Sequence, residues 1–320
     1  MNESDADYEA TAVIWTANWP EYPKTADMYR RSYETRAPLS VIGRLVAEEG
    51  DSVIATGYFR DECDNVATGK YLLYAQVTPE RQGEGVGSVL FDALLEHLDV
   101  HEPRILSSFT REDHNAGRVF LEKRGFWVSM KEQDSELDLS QWDASRFEGV
   151  VERVRESGIE ILPASEIAER DPDWQRRAWE LHGEIIPDVP DDDLLSNEPF
   201  EEFAKTFDHP DFIPEGYFLA LDGARYVGMS SVWKRHSKEG ELYTRLTGVA
   251  RSHRRRGIAT ALKVRAHELA RSLGAATIVT DNEENNPMYD LNVRLGFRPT
   301  HAWLQFRKEL GGRSTEGHTE

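Results

Sequence analysis

Cysteine is almost absent: Cys63 is the only one in 320 residues. A single thiol excludes an intrachain disulfide and any zinc site built from cysteines. Positive charge is also short, with 38 Lys and Arg against 58 Asp and Glu and a net charge of −20. That deficit opposes nonspecific attachment to nucleic acid and favours cationic or amine partners, beside its plainer effect on solubility. No apolar run approaches the roughly 20 residues of a membrane-crossing helix. The start, MNESDADYEA, is acidic and polar, unlike a signal peptide. The ten histidines form no H-E-x-x-H or other paired metal spacing, so no metal is expected. These absences predict a cytoplasmic protein with neither a membrane nor a nucleic-acid partner, and they leave the oligomeric state open.

What is present begins with size. A chain of 320 residues with 39% hydrophobic and 10% aromatic content can build two packed cores. The stretch around which it is organised runs over 247–273, TGVARSHRRRGIATALKVRAHELARSL. A β-rich segment over 242–249 leads through a basic turn into a helix from Gly257, with Ile258, Leu262, Ala266, Leu269 and Leu273 on one face. Strand, glycine turn and helix start aim several backbone N–H groups at one point, where the helix dipole adds partial positive charge. That geometry suits a phosphate or pyrophosphate. Arg254-x-x-Gly257-x-Ala259 lacks the lysine of a Walker loop and is not the GxGxxG of a dinucleotide fold.

The pattern occurs twice. Gln82-x-x-Gly85-x-Gly87 follows the strand-like YLLYAQV over 71–77 and precedes a helix with Val86, Leu90, Leu94 and Leu98 on one face. Gly85 and Gly257 lie 172 residues apart; Asn115 and Asn286, like Gly125 and Gly296, lie 171 apart. In each half an Asn stands ten residues before a Gly-Phe pair. A repeat of this length is a duplicated domain, not a solenoid.

The remaining segments predict a strand over 11–19, a helix over 24–33, a hairpin of 40–48 and 52–60, a strand over 104–109 and a helix over 115–124. A boundary is placed within 138–157. Beyond it the pattern predicts a strand over 159–162, a helix over 173–186 and an acidic, proline-marked segment over 187–214. A hairpin of 217–221 and 226–234 follows, then strands near 241–249 and 277–280, a helix over 287–295 and a last strand about 303–309. The expected domains are 1–145 and 159–310, with a linker over 146–158 and a disordered tail over 311–320.

Both halves resemble GNAT N-acetyltransferase domains, through the Q/R-x-x-G-x-G/A signature and the Asn-to-Gly-Phe helix. The likeness covers nearly the whole chain and is similar to the arrangement of bacterial tandem GNAT proteins. It implies an α/β fold with a mixed sheet in two tandem domains. It further implies acetyl-CoA as cofactor, held where the fourth and fifth strands of each domain splay at a bulge, with the pantetheine arm paired to fourth-strand backbone. By this resemblance Val249 and Ala250 meet the arm, and Arg254, Arg255, Arg256, Gly257, Ile258, Ala259 and Thr260 cradle the pyrophosphate. Val77 and Thr78, with Gln82, Gly83, Gly85, Val86, Gly87 and Ser88, hold the same places in the first half. Asn286 reads equally as a cofactor contact or as an N-cap.

The implied reaction is transfer of an acetyl group to a small-molecule amine or a peptide or protein amino group. It requires removal of an amine proton, N–H donors for the developing oxyanion and help for the leaving thiolate. Many family members carry an acidic tyrosine four residues before the Gly-Phe glycine; here those positions hold Leu121 and Asn292. Tyr289, one turn earlier, and Tyr243, on the fourth strand, are the substitutes, each with core packing as the competing role. Glu241, eight residues before Val249, is the expected base; its counterpart in the first half is Gly69. That asymmetry points to catalysis in the second half and a first half that binds cofactor without turnover. The alternative is an acyl-CoA-binding or interaction protein with degenerate catalysis. The acidic residues 188–193 stand as a possible acceptor wall or a solvated loop, and Trp15, Trp19 and Tyr22 as an aromatic packing cluster.

Overall fold

The computed structural model describes residues 5–34, 41–61, 69–191, 195, 197–235 and 238–310. They form two compact units, one from the described parts of Met1–Ser129 and Leu304–Glu320, the other from Met130–Trp303. The expected boundary lay within 138–157, with a linker over 146–158. The division instead falls at 129/130, and the last strand is shared between the units.

In the first unit, helices α1 (Asp5–Asn18) and α2 (Ala26–Glu34) precede a meander of β1 (Ile42–Glu49), β2 (Ser52–Asp61) and β3 (Lys70–Val77). Helix α3 (Val86–Leu98), strand β4 (Ile105–Arg111), helix α4 (Asn115–Lys123) and the start of β5 (Trp127–Asp138) follow. β1, β2 and β3 pair antiparallel, while β4 lies parallel to β3. The core joins Leu73 of β3, Phe91, Leu94 and Leu98 of α3, and Leu106 of β4 to Leu304 and Phe306 near the chain's end.

The expected strand over 11–19 is a helix. Its β-branched residues suggest extension, but Tyr8, Ala12, Trp15 and Trp19 recur at intervals of three and four and are buried. That is helical spacing, and packing against the sheet decides it. Asp5 and Asp7 in the first turn favour the same choice through the dipole.

The second unit contains α5 (Val150–Glu156), β6 (Ile159–Pro163), α6 (Ala164–Arg170), α7 (Trp174–Ile185), α8 (Phe200–Lys205), β7 (Tyr217–Asp222) and β8 (Arg225–Lys234). Next come β9 (Glu241–Val249), α9 (Ile258–Ser272), β10 (Thr277–Glu283), α10 (Pro287–Leu295) and β11 (Arg298–Glu309). Strands β6 to β9 are successively antiparallel, β10 is parallel to β9, and β5 closes antiparallel on β10. Leu219, Val227, Leu262, Ala266 and Ile278 centre its core. Helix α8, inside the proline-marked segment, was hidden by its short length; Phe203 anchors it in the core. Residues 311–320, the expected tail, lie outside the described residues.

Candidate functional site

In both units the parallel strand pair parts early. β3 and β4 are paired only at Lys70–Ile105, Tyr71–Leu106 and Leu72–Ser107. β9 and β10 are paired only at Glu241–Thr277, Leu242–Ile278 and Tyr243–Val279. Beyond those pairs each leading strand continues toward its glycine loop without its parallel neighbour, so backbone groups on that edge face a gap. β9 also bulges there: Ser230 faces Thr247 and Val232 faces Thr244, which leaves Arg245 and Leu246 opposite Ser231. The β2–β3 ladder in the first unit runs without such a shift.

The two loops share one construction. A single 3-10 turn, Pro79–Arg81 or Arg251–His253, leads to the Q/R residue of the signature. Gln82 Nε2 donates to the Val77 carbonyl at 3.2 Å, and Arg254 Nε donates to the Val249 carbonyl at 2.9 Å. Each thus ties the loop back to the strand five residues earlier. Gly85 and Gly257, in left-handed conformation at φ 90° and 80°, cap α3 and α9. Neither helix start has a side-chain cap, so its first amides remain available to an anion. A Cβ at Gly83 or Gly85 would meet nothing within 4 Å, as expected where a ligand approaches backbone. Where the first loop uses Gly83 at φ 82°, the second places Arg255 at φ 64°.

Not every basic residue of the second loop faces the ligand position. His253 is buried against Asp222 (3.0 Å), and Ile258 points into the core, leaving only its amide. Arg254 (2.5 Å) and Arg251 both bind Asp188, and their guanidiniums hold its carboxyl well below the usual range. Asp188, expected in the acceptor wall, therefore braces the phosphate loop; Asp192 and Asp193 lie outside the described residues. Arg256 donates to the Ser157 carbonyl at 3.2 Å. Arg255 is exposed and has no partner among the described residues. Val249 and Ala250 are buried, and the Ala250 amide donates to Val227. Ala259 and Thr260 sit half-buried in the first turn of α9, as do Val86, Gly87 and Ser88 in that of α3. Thr78 donates its amide to Ile54.

The expected base is not presented to the gap. The Glu241 side chain is 1% exposed and is held by Arg235 and by Lys238 (2.5 Å), with the Thr277 hydroxyl at 3.4 Å. Enclosed in this way, the carboxylate has no open path to an amine in the gap. Tyr243 donates to Asp281 Oδ1 at 2.6 Å; burial first, then that carboxylate, pushes its pKa well above the ordinary value. Asp134 stands directly across from Asp281 on β5 and accepts from Trp303 Nε1 at 3.1 Å. Two carboxylates thus flank the parting of β9 and β10. Sequence reasoning missed both, although a carboxylate directly following the apolar strand Thr277–Thr280 was a usable signal.

Helix α10 adds three residues. Asn286 accepts from the Met288 amide at 2.9 Å, which makes it the N-cap. Tyr289 is half-buried, and its hydroxyl has no partner among the described residues. Asn292, at the position where a tyrosine was sought, is 0% exposed; its Nδ2 donates to Asn282, and its Oδ1 is unmatched. Thr244 Oγ1, one residue past the last β9–β10 pair, is likewise buried and unmatched.

In the first unit the gap opens into a cleft of about 340 Å³ that takes in Gln82, Gly83, Gly85, Gly87 and Ser88 of the loop. Asn18 of α1 donates to the Val77 carbonyl (3.0 Å) and accepts from Gln82 (2.7 Å), so α1 secures one wall. Trp19 packs with Trp15 and donates to the Tyr74 hydroxyl at 3.1 Å. The expected aromatic cluster thus exists, built on a helix, and Trp19 lines the cleft. Buried Gln76 and half-buried His114 also line it, and neither was singled out from sequence. In both units, unmatched buried polar atoms and open glycine loops fit a ligand with an extended amide arm and a pyrophosphate.

Comparison with known proteins agrees with this geometry. No curated protein matches the chain by sequence. Among solved structures it is similar to a GCN5-related N-acetyltransferase from Sphaerobacter thermophilus, with 20% identity, TM-score 0.69 and coverage of 96% of this chain and 93% of that one. It is also similar to a tandem GNAT protein from the clavulanic acid biosynthesis pathway, with 18% identity, TM-score 0.71 and 96% of each chain covered. The profile of the acetyltransferase (GNAT) family matches residues 8–126 and 172–297, one region in each half. The chain therefore belongs to the GNAT family of acetyl-CoA-dependent acyltransferases, as a tandem pair of its domains.

Proposed function

We propose that the second unit transfers the acetyl group of acetyl-CoA to a primary amine by direct attack, the amine being a small molecule or a peptide or protein amino group. The observation that carries this reading is the β9–β10 gap, with its bulge and the unmatched polar atoms of Thr244 and Asn292. Backbone of Val249 and the first turn of α9 would hold the pantetheine arm and pyrophosphate, with Arg255 adding charge. Bound there, acetyl-CoA supplies an activated acetyl group. Asp134 and Asp281 attract an ammonium, and Asp281 takes its proton, since an ammonium has no lone pair with which to attack. Tyr243 orients Asp281, and Tyr289 provides an unengaged hydroxyl as acid for the leaving group. Asp281 replaces Glu241 as base because Glu241 is enclosed by cations.

Asp281→Asn is expected to lower kcat/KM for amine acetylation roughly 10²-fold at neutral pH with acetyl-CoA affinity unchanged. A rate within about threefold of wild type would remove Asp281 from this role. The absence of a tyrosine at Asn292 favours a second reading, a cofactor-binding protein without turnover. Acetyl-CoA binding without thiol release against amines, polyamines, amino acids, aminoglycosides and peptide N-termini would select it.

A further inference from the structure

The first unit holds chemistry that cofactor binding alone leaves unused. Gln76 is 8% exposed and lines the cleft; its Nε2 donates to Thr56, and its buried Oε1 has no partner among the described residues. His114, in the same wall, pairs Nδ1 with the Thr110 hydroxyl at 3.1 Å and sets its ring edge-on to Trp19 at 5.2 Å. Its Nε2 has no partner among the described residues. Gly117 of α4 is what seats this pair: a Cβ there would fall 2.6 Å from both His114 Nδ1 and Thr110 Oγ1. Glycine is unfavourable inside a helix relative to alanine; here it gives the imidazole its place.

Among the described residues the cleft's lining contains no carboxylate, in contrast to the Asp134 and Asp281 pair of the second unit. Without a carboxylate there an ammonium has no counter-charge, while the aromatic rings of Trp19, Tyr74 and Phe109 suit a flat, apolar amine. An aromatic amine is uncharged at neutral pH and arrives with its lone pair free. It needs a base only for the proton it sheds on attack.

We propose that the first unit is a second transfer centre, acting on uncharged aromatic amines, with His114 as its base. This rests on the reading of acetyl-CoA as the acetyl donor. With Nδ1–H donating to Thr110, Nε2 presents its lone pair to the cleft. The amine nitrogen bonds to the acetyl carbon as the carbon–sulfur bond breaks. The amine's proton passes to Nε2 and from there to the departing sulfur, giving an amide and a free thiol. Burial lowers the imidazole's pKa from its ordinary value, with nearby Asp113 raising it and Arg111 lowering it.

The test uses the full chain, calorimetry with acetyl-CoA, and two probe amines, 4-methoxyaniline and the cationic cadaverine. Wild type is expected to bind two acetyl-CoA per chain. Gly257→Asp, which sets a carboxylate in the second loop, is expected to bind one and to lose cadaverine acetylation while 4-methoxyaniline is still acetylated. Adding His114→Gln should then lower 4-methoxyaniline turnover roughly 10²-fold with the one acetyl-CoA still bound. Loss of both activities in Gly257→Asp despite one bound acetyl-CoA would overturn the proposal. So would a His114→Gln rate within about threefold of its parent. Failure of the broader reading looks different, because wild type would then acetylate neither amine.

Discussion

At the scale of the residue, the second unit keeps two titratable groups where water does not reach. Lys263 and His267, one turn apart on α9, are 1% and 0% exposed, and both His267 nitrogens lack partners among the described residues. Burial lowers the Lys263 pKa to about 7 and pushes that of His267 well below its usual value, with Lys263 adding to the latter shift. The unfolded chain holds the lysine proton up to about pH 10.5. Between about 7 and 10.5 it therefore binds more protons than the folded chain, and stability rises with pH across that window. His267 has the same sign below its usual value: stability falls as pH drops beneath about 6.5. Lys263→Met is expected to stabilise the second unit by about 2 kcal/mol at pH 7 and by much less at pH 10. Denaturant unfolding at the two pH values checks this, and an equal gain at both would show that packing, not charge, is responsible. Sequence identified neither group, because a lysine and a histidine four apart also describe an ordinary exposed helix face.

The glycine loop is the element that links sequence to the proposed chemistry. Its glycines were readable because only glycine takes φ near 80–90° without strain, and Gly85 and Gly257 do so at equivalent places. Arg255 breaks that rule at φ 64°, in a position the first loop gives to Gly83. A left-handed non-glycine residue costs about 1–2 kcal/mol, and its exposed guanidinium has no partner among the described residues to compensate. Strain of this kind at a functional loop suggests a charge kept for a ligand. Arg255→Gly should leave thermal stability equal or up to about 1 kcal/mol higher, because the strain released exceeds the added freedom of the unfolded chain. Acetyl-CoA affinity should fall, by a factor that shrinks as salt is added. Unchanged affinity at low salt would mean that Arg255 does not meet the phosphates. At this same scale Glu241, expected as the base, is buried between two cations. Its strand position was read correctly, but Arg235 and Lys238 close over it, and no periodicity reports which cations a turn will fold back onto a carboxylate.

For the molecule as a whole, the decisive event is the return of the chain's end. Leu304 and Phe306 of β11 are 5% and 1% exposed and belong to the core of the first unit, while Arg298–Trp303 stay with the second. A boundary sought along the sequence cannot detect this, since it joins residues almost two hundred positions apart. Phe306→Ala should destabilise the first unit by about 3–5 kcal/mol. Its acetyl-CoA site should be lost before the second unit melts. Calorimetry would register one bound acetyl-CoA instead of two, and retention of both would show that β11 is dispensable there.

The amino-acid sequence by itself determined the duplication, the order of most strands and helices, and the two loops. These depend on periodicity and on glycine's backbone freedom, which are local properties. The tertiary structure alone decided that residues 11–19 coil into a helix, that β11 completes the first unit, and which side chains reach the strand gaps. Asp281, Asp134 and His114 gain their meaning from neighbours across a sheet or against a helix. Burial and charge pairing are sums over such neighbours, and chain order does not contain them.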